Sequence, residues 1–164
     1  MSIATGHEEV LAELRSSDKL LLTTHENPDG DALGSLLAMH WILQQLGKDS
    51  LMYMSPDEFP LPWEYRGFSF EGLVGAPPAD IAERTIVFLD CGNLERHPAP
   101  ALKHAARILN IDHHHDNTRF GTVNHVDSRA SCTAEMVWDL MQGLGVPVSL
   151  DIAEALYVGL VTDT

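Results

Sequence analysis

Cysteine is scarce in this chain of 164 residues. Cys91 and Cys132 are the only two, and they do not form a Cys-x-x-Cys pair. That is too few for a disulfide framework, and both read as reduced thiols. Basic residues are also few, 10 Lys and Arg against 24 Asp and Glu, for a formal net charge of −14. A surface that binds nucleic acid by neutralising phosphates needs the opposite balance, so a long nucleic acid is not an expected partner. No apolar run approaches the ~20 residues of a membrane span, and no membrane partner is expected. The first nine residues carry neither a basic start nor an apolar core, so they are not a signal peptide and a cytoplasmic location is expected. Repeats and low-complexity tracts are missing too. What remains, 45% hydrophobic and 21% charged residues, is the composition of one soluble globular domain.

Hydrophobic patterning predicts an alternation of helices and strands. A first helix is expected over 7–17, a strand over 19–24, a loop over 25–31 and a largely buried helix over 32–46 ended by Gly47. A second strand covers 51–54. Pro56, Pro60, Pro62, Pro77 and Pro78 then break regular structure, leaving loops, one short helix or turn near 61–65 and an edge strand at 68–70. Strands follow at 85–89, at the run leading to Asp112, and at 122–126, with 98–104 as a connector. Helices over 131–144 and 150–161 close the chain. The pattern predicts an α/β fold, a doubly wound and mainly parallel sheet with helices on both faces.

Side chains able to hold a metal collect where these apolar elements end. Asn110-Ile111-Asp112-His113-His114-His115-Asp116 sets three imidazoles between carboxylates at the end of a strand, where parallel sheets bind ligands. The rival reading of that stretch is a solvated His-rich loop. His25, Asp29 and Asp31 lie in the first loop, where Asp29-Gly30-Asp31 also suits a turn and a helix N-cap. Asp90 terminates a Val-Phe-Leu strand; it either binds something or caps the turn that follows. Asp163 lies just beyond the last apolar helix.

His25, Asp29, Asp31, Asp90, His113 and Asp163 make six donors, too many for one tetrahedral zinc site. They suit two metals sharing a bridging carboxylate. Oxygen-rich sites with some histidine favour Mn²⁺ or Mg²⁺. Bound divalent cations would also reverse the local field for a phosphate-bearing substrate that the net negative charge repels. Cys91 beside Asp90 reads as packing, and no Ser or Cys nucleophile with a matched base stands out. His40, His97, His104 and His125 read as surface or packing histidines, and His115 as exposed.

The order His25-x-x-x-Asp29-x-Asp31, then Asp90 after a strand, Asp112-His113-His114, and Thr162-Asp163 after a helix resembles the DHH phosphoesterase family of the RecJ-like superfamily. The resemblance runs from about Leu20 to the last residue. Residues 25–35, His-Glu-Asn-Pro-Asp-Gly-Asp-Ala-Leu-Gly-Ser, and residues 128–135 are most similar to its bacterial nanoRNase and pAp-phosphatase branch.

That resemblance implies two Mn²⁺ ions, with Mg²⁺ or Co²⁺ as substitutes. One would be held by His25, Asp29 and Asp90, the other by Asp31, Asp90, His113 and Asp163. It implies a catalytic Asp112-His113-His114 group in which Asp112 orients a histidine and His114 meets the substrate phosphate. Ser131 and Thr133 would line the substrate site. The implied reaction is attack of a two-metal-activated hydroxide on short oligonucleotides, releasing 5′-mononucleotides, or on 3′-phosphoadenosine 5′-phosphate (pAp), releasing AMP. Cyclic dinucleotides are a further substrate class; inorganic pyrophosphate fits the first loop less well. A non-catalytic metal- or nucleotide-binding module is the rival reading. Residues 1–164 are expected to be the catalytic domain alone, as a fragment without the C-terminal substrate-binding (DHHA1-type) domain that such proteins carry. A phosphorylated small molecule or short oligonucleotide is the expected partner, and a homodimer is compatible with the chain.

Overall fold

The computed structural model describes residues 6–97 and 99–163, without the side chains of Arg96 and His104. The expectation for His104 therefore lies outside the described residues. In chain order the elements are α1 (Gly6–Ser16), β1 (Lys19–Thr23), α2 (Gly30–Gln45), β2 (Asp49–Tyr53), β3 (Leu73–Val74), β4 (Thr85–Leu89), β5 (Ile108–Asp112), β6 (Val123–Val126), α3 (Thr133–Gly143) and α4 (Leu150–Asp163). Short 3₁₀ helices occupy parts of the connections, among them Trp63–Tyr65, Leu94–Arg96 and Pro100–His104.

The six strands form one sheet in the order β3-β2-β1-β4-β5-β6, and every neighbouring pair is parallel. Strands covered on both faces read as unbroken apolar runs. That is why Leu20-Leu21-Leu22 and Ile86-Val87-Phe88-Leu89 show no polar alternation, and all seven side chains are buried. Leu20, Leu22, Val87, Leu89, Leu109 and Ile111 face a core shared with all four α-helices. Leu21, Ile86, Phe88 and Ile108 face a second core closed by Tyr53, Ala99 and Leu102. Helices thus cover both faces as predicted, but unequally: α-helices on one, 3₁₀ turns on the other.

Connections between parallel strands are right-handed. The chain steps outward from β1 through β2 to β3, returns to β4, then steps the opposite way to β5 and β6. The reversal falls between β1 and β4, and α2 and the 94–104 connection lie on opposite faces. Such a switch point opens a crevice at the carboxyl ends of the two strands. His25 and Asp90 follow those two ends.

Several boundaries differ from the expectation. The buried helix begins at Gly30 rather than 32, so Asp31 lies in its first turn. The expected edge strand at 68–70 is replaced by Leu73–Val74. Phe68 and Phe70 instead pack on the main core and on each other, with Phe59 edge-on to Phe70. Asp112 belongs to β5, α3 begins at Thr133, and α4 runs on to Asp163. Gly47 does end α2 in the left-handed conformation at φ +74°.

Glycines set the distances of α4 from α2 and from α3. A Cβ on Gly34 would strike the Ala155 carbonyl, one on Gly30 the Thr162 side chain, and one on Gly159 the Ala134 methyl. The close packing carries Asp163, at the end of α4, back to the beginning of α2. Among the described residues no helix is long and apolar enough to cross a membrane.

Candidate metal centre

His25 leaves the end of β1 with its Nδ1 2.6 Å from the carbonyl oxygen of Glu26. A carbonyl only accepts, so Nδ1 carries the proton and Nε2 presents its lone pair, as a metal ligand requires. That Nε2 lies 3.4 Å from Asp90 Oδ2 and 3.9 Å from Asp29 Oδ1. Asp29 is the N-cap of α2, accepting the Ala32 N–H at 2.9 Å. The helix-cap reading of Asp29 therefore holds, and the same carboxylate faces His25.

Asp90 follows β4 with φ +61°, a left-handed conformation unusual for a side chain other than glycine. Backbone of this kind costs about 1 kcal/mol or more and persists where the surroundings fix it. Here the Asp90 N–H donates to the Ile111 carbonyl at 3.0 Å, and the Thr133 hydroxyl donates to Oδ1 at 3.0 Å. The result aims one oxygen at each side: Oδ2 toward His25, Oδ1 toward His113 at 3.6 Å.

On the far side, His113 Nε2 lies 3.5 Å from Asp31 Oδ2, 3.6 Å from Asp90 Oδ1 and 3.5 Å from Asp163 Oδ2. This nitrogen is buried and has no hydrogen-bond partner among the described residues. A buried polar atom without a partner calls for an explanation. Three carboxylate oxygens around it supply one, since a divalent cation would satisfy all four atoms together. Three donor groups result, His25–Asp29–Asp90, Asp31–His113–Asp163 and Asp90–Asp112–His113–His114, each with its donor atoms within 4.8 Å of one another; the first two are the expected ligand sets.

Asp31 is fixed from a distance. Its Oδ2 accepts the Thr133 N–H and its Oδ1 the Ala134 N–H, each at 2.9 Å, and the Ser35 hydroxyl reaches Oδ1 at 3.4 Å. The carboxylate thus caps α3, whose own N-cap residue, Cys132, offers no side-chain cap. Burial and the charge of Asp90 push the Asp31 pKa up to about 8 in the metal-free protein. Burial likewise raises that of Asp163, with Asp90 and Asp29 adding to it against the pull of His113. Burial and neighbouring charge thus oppose ionisation of Asp31 and Asp163, and a bound cation would offset both.

Asp112 is fully buried beside Asp90, His113 and His114, and both of its oxygens are already hydrogen-bonded. His114 Nδ1–H donates to its Oδ1 at 2.6 Å and Asn117 Nδ2 to its Oδ2 at 2.8 Å. Burial alone would raise this carboxyl, but the His114 and Asn117 bonds outweigh it and hold it below the ordinary value. The bond to Asp112 in turn lifts His114 to about 9. His114 borders a cleft of about 500 Å³, which His25, Asp90, Gly92, Asn93 and Asp116 also line.

The structure thus brings together His25, Asp29, Asp31, Asp90, Asp112, His113, His114, Thr133 and Asp163. It does not bring in Ser131, whose N–H and hydroxyl both bind Glu135 Oε2, at 2.6 and 2.8 Å, as part of the α3 cap. His115 is exposed, Cys91 is buried in the second core, and His40 and His97 are buried packing groups. Asn110 and Asn117, which hold Asp112, were not among the expected residues. An asparagine inside the buried Ile-Leu-Asn-Ile run is a signal that could have found them, because such an amide needs partners.

Residues 19–160 match the DHH family, N-terminal domain. The chain is 35% identical over 149 residues, 88% of its length, to a bifunctional oligoribonuclease and PAP phosphatase NrnA of Thermus thermophilus, covering 43% of that protein. It is 28% identical to the Bacillus subtilis protein of the same name, with 95% of the chain and 49% of that protein covered. A probable manganese-dependent inorganic pyrophosphatase of Streptococcus mutans is 26% identical, with 89% of the chain and 48% of that protein covered. Among solved structures, an exopolyphosphatase-related protein from Bacteroides fragilis superposes with a TM-score of 0.80 at 25% identity, over 97% of this chain and 50% of that one. The chain spans about half the length of these relatives, 43–50%. With the family match reaching from β1 into α4 and the four ligand-bearing segments converging at the switch point of the sheet, the chain belongs to the DHH family, of which it carries the N-terminal domain.

Proposed function

We propose that this domain is the catalytic part of a Mn²⁺-dependent phosphoesterase. Its substrates are short oligonucleotides, cut to 5′-mononucleotides, or pAp, cut to AMP. The observation that carries this reading is Asp90, whose two oxygens face two histidines, one of them with an unpartnered buried nitrogen. His25, Asp29 and Asp90 would hold one ion, and Asp31, Asp90, His113 and Asp163 the other. Oxygen donors with two imidazoles suit Mn²⁺, with Mg²⁺ or Co²⁺ as substitutes. Bound there, such ions supply positive charge for the phosphate and a water acidified toward neutral pH.

The remaining chemistry belongs to the side chains. Asp112 fixes Nδ1 of His114, which leaves the other ring nitrogen as the donor for a phosphate oxygen. Thr133 and the Asp90 N–H bond keep the bridging carboxylate in its left-handed turn. A cleft of about 500 Å³ is of nucleotide size. The net charge of −14 disfavours a long polyanion. The relatives named as oligoribonucleases and PAP phosphatases support the substrate class. Because they are about twice as long, substrate contacts from a further domain are part of this reading.

Release of phosphate and mononucleotide from pAp, a dinucleotide and pyrophosphate, with Mn²⁺ and after chelation, tests the proposal. Metal-dependent release from pAp or the dinucleotide that is lost in Asp90→Asn is the expected result. Release that survives chelation or the substitution contradicts it, and turnover of pyrophosphate alone reassigns the substrate.

A further inference from the structure

We propose that Asn117 is the positioning residue for His114, acting through Asp112; this rests on the reading that His114 meets the substrate phosphate. The Asn117 amide has one possible orientation. Its Oδ1 accepts the Arg119 backbone N–H at 2.6 Å and the Asn110 Nδ2 at 2.8 Å. A backbone N–H only donates, so the oxygen must face Arg119 and the Nδ2 must face Asp112 Oδ2, 2.8 Å away. Asn110 is fully buried in β5 and is itself held by Asn124 Oδ1 at 3.2 Å. Asn124 is tied down in turn, accepting the Gly121 N–H at 2.9 Å and donating to the Gly121 carbonyl at 3.0 Å.

A chain of amides therefore runs from β6 through β5 to the loop after the Asp-His-His stretch, and it ends on a buried carboxylate. Asp112 has two oxygens and two side-chain donors, and each donor takes one oxygen. Without Asn117 the Oδ2 atom would be a buried anion short of one donor. The carboxyl would then rotate or take up a proton, and in either case His114 loses the acceptor that sets its ring plane. Partners of this kind typically change affinity or activity by 10–100-fold when removed. A residue that only filled space would leave the imidazole as it is.

Asn117→Ala removes the donor, and Asn117→Ser leaves a shorter hydroxyl donor in its place. Both are compared with wild type in the full-length Mg²⁺-loaded protein by bound-metal analysis, steady-state kinetics and the NMR signal of the His114 Nδ1 proton. That proton is expected to be slow to exchange and shifted downfield in wild type. In Asn117→Ala the signal should be lost and kcat/KM should fall about 10–100-fold at unchanged metal content, with Asn117→Ser between the two. Wild-type turnover in Asn117→Ala, or lost turnover with the His114 signal intact, overturns the proposal. Should Asn117→Ala not fold, Asn117→Ser carries the same two readouts. A wild-type protein inactive on every phosphoester would defeat the phosphoesterase reading instead, and the imidazole signal would still decide the role of Asn117.

Discussion

The Asp31 carboxylate on α2 accepts the Thr133 N–H of α3 at 2.9 Å, joining the first turns of two helices 102 residues apart in the chain. The same group faces His113 as an expected metal ligand. Folding and metal binding therefore meet in one side chain, and the consequence is a pH dependence. Without metal, its pKa stands near 8 against an ordinary 3.8, raised by burial and by Asp90. A folded state that binds more protons than the unfolded one loses stability as pH rises. Asp31 alone is predicted to cost the metal-free protein roughly 1 kcal/mol per pH unit from about pH 4 toward 8, and between pH 6.5 and 8 His114, lifted to about 9, adds to the loss. Mn²⁺ should stabilise it most at the alkaline end. Denaturant melts at several pH values check this, and a metal-free stability that climbs over that range contradicts it.

His97 gives the opposite slope at lower pH. Its Nδ1 accepts the Ala99 N–H at 3.1 Å, so the proton sits on Nε2, which donates to the Thr23 hydroxyl at 2.7 Å. Burial first, and then the charge of Lys103, lower its pKa from 6.5 to about 4. The unfolded chain takes up this proton before the folded one does. The contribution is complete above pH 6.5 and is lost as pH falls toward 4, by about 3 kcal/mol in all. Asp31 slopes the other way over the same window, so replacing His97 with Gln should leave a metal-free stability that falls as pH rises from 4 to 6.5. An unchanged slope would show that other groups set it.

Thr133 and Ser131 separate site from scaffold. Thr133→Val keeps the shape but removes the donor to Asp90, and Mn²⁺ affinity should weaken about tenfold or more. Ser131→Ala removes only the α3 cap with Glu135, at a cost of about 1 kcal/mol in stability and no change in metal affinity. Calorimetric metal titration alongside thermal melts distinguishes the two effects.

Gly34 tests how Asp163 is delivered. A methyl at this position meets the Ala155 carbonyl, so Gly34→Ala forces α4 away from α2. Overpacking of this kind costs about 1–3 kcal/mol, or a melting point lower by roughly 3–10 °C. Because Asp163 ends α4, Mn²⁺ binding should weaken in the same variant. A variant that is destabilised yet binds Mn²⁺ like wild type would show that Asp163 is placed independently of α4 packing.

The metal-site candidates were legible because carboxylates and imidazoles stand out at the ends of apolar runs such as Val87-Phe88-Leu89. The parallel sheet was legible for the same reason, since strands buried on both faces show no polar alternation. What stayed hidden depends on partners far away in the chain. Nothing local in Ser131-Cys132-Thr133 says that Glu135 takes the serine while Asp31, on another helix, caps α3. Phe68 and Phe70 have strand-forming side chains, but they pack on the main core and the paired strand is Leu73–Val74. The amide chain through Asn110, Asn117 and Asn124 needs the register of β5 with β6 to exist at all.

Anomalous scattering from crystals grown with Mn²⁺ tests the central claim most directly. Two peaks per chain are expected, on either side of Asp90, one near His25 and one near His113. A single ion, or ions that leave Asp90 without contact, would contradict the bridging role on which the proposed chemistry depends.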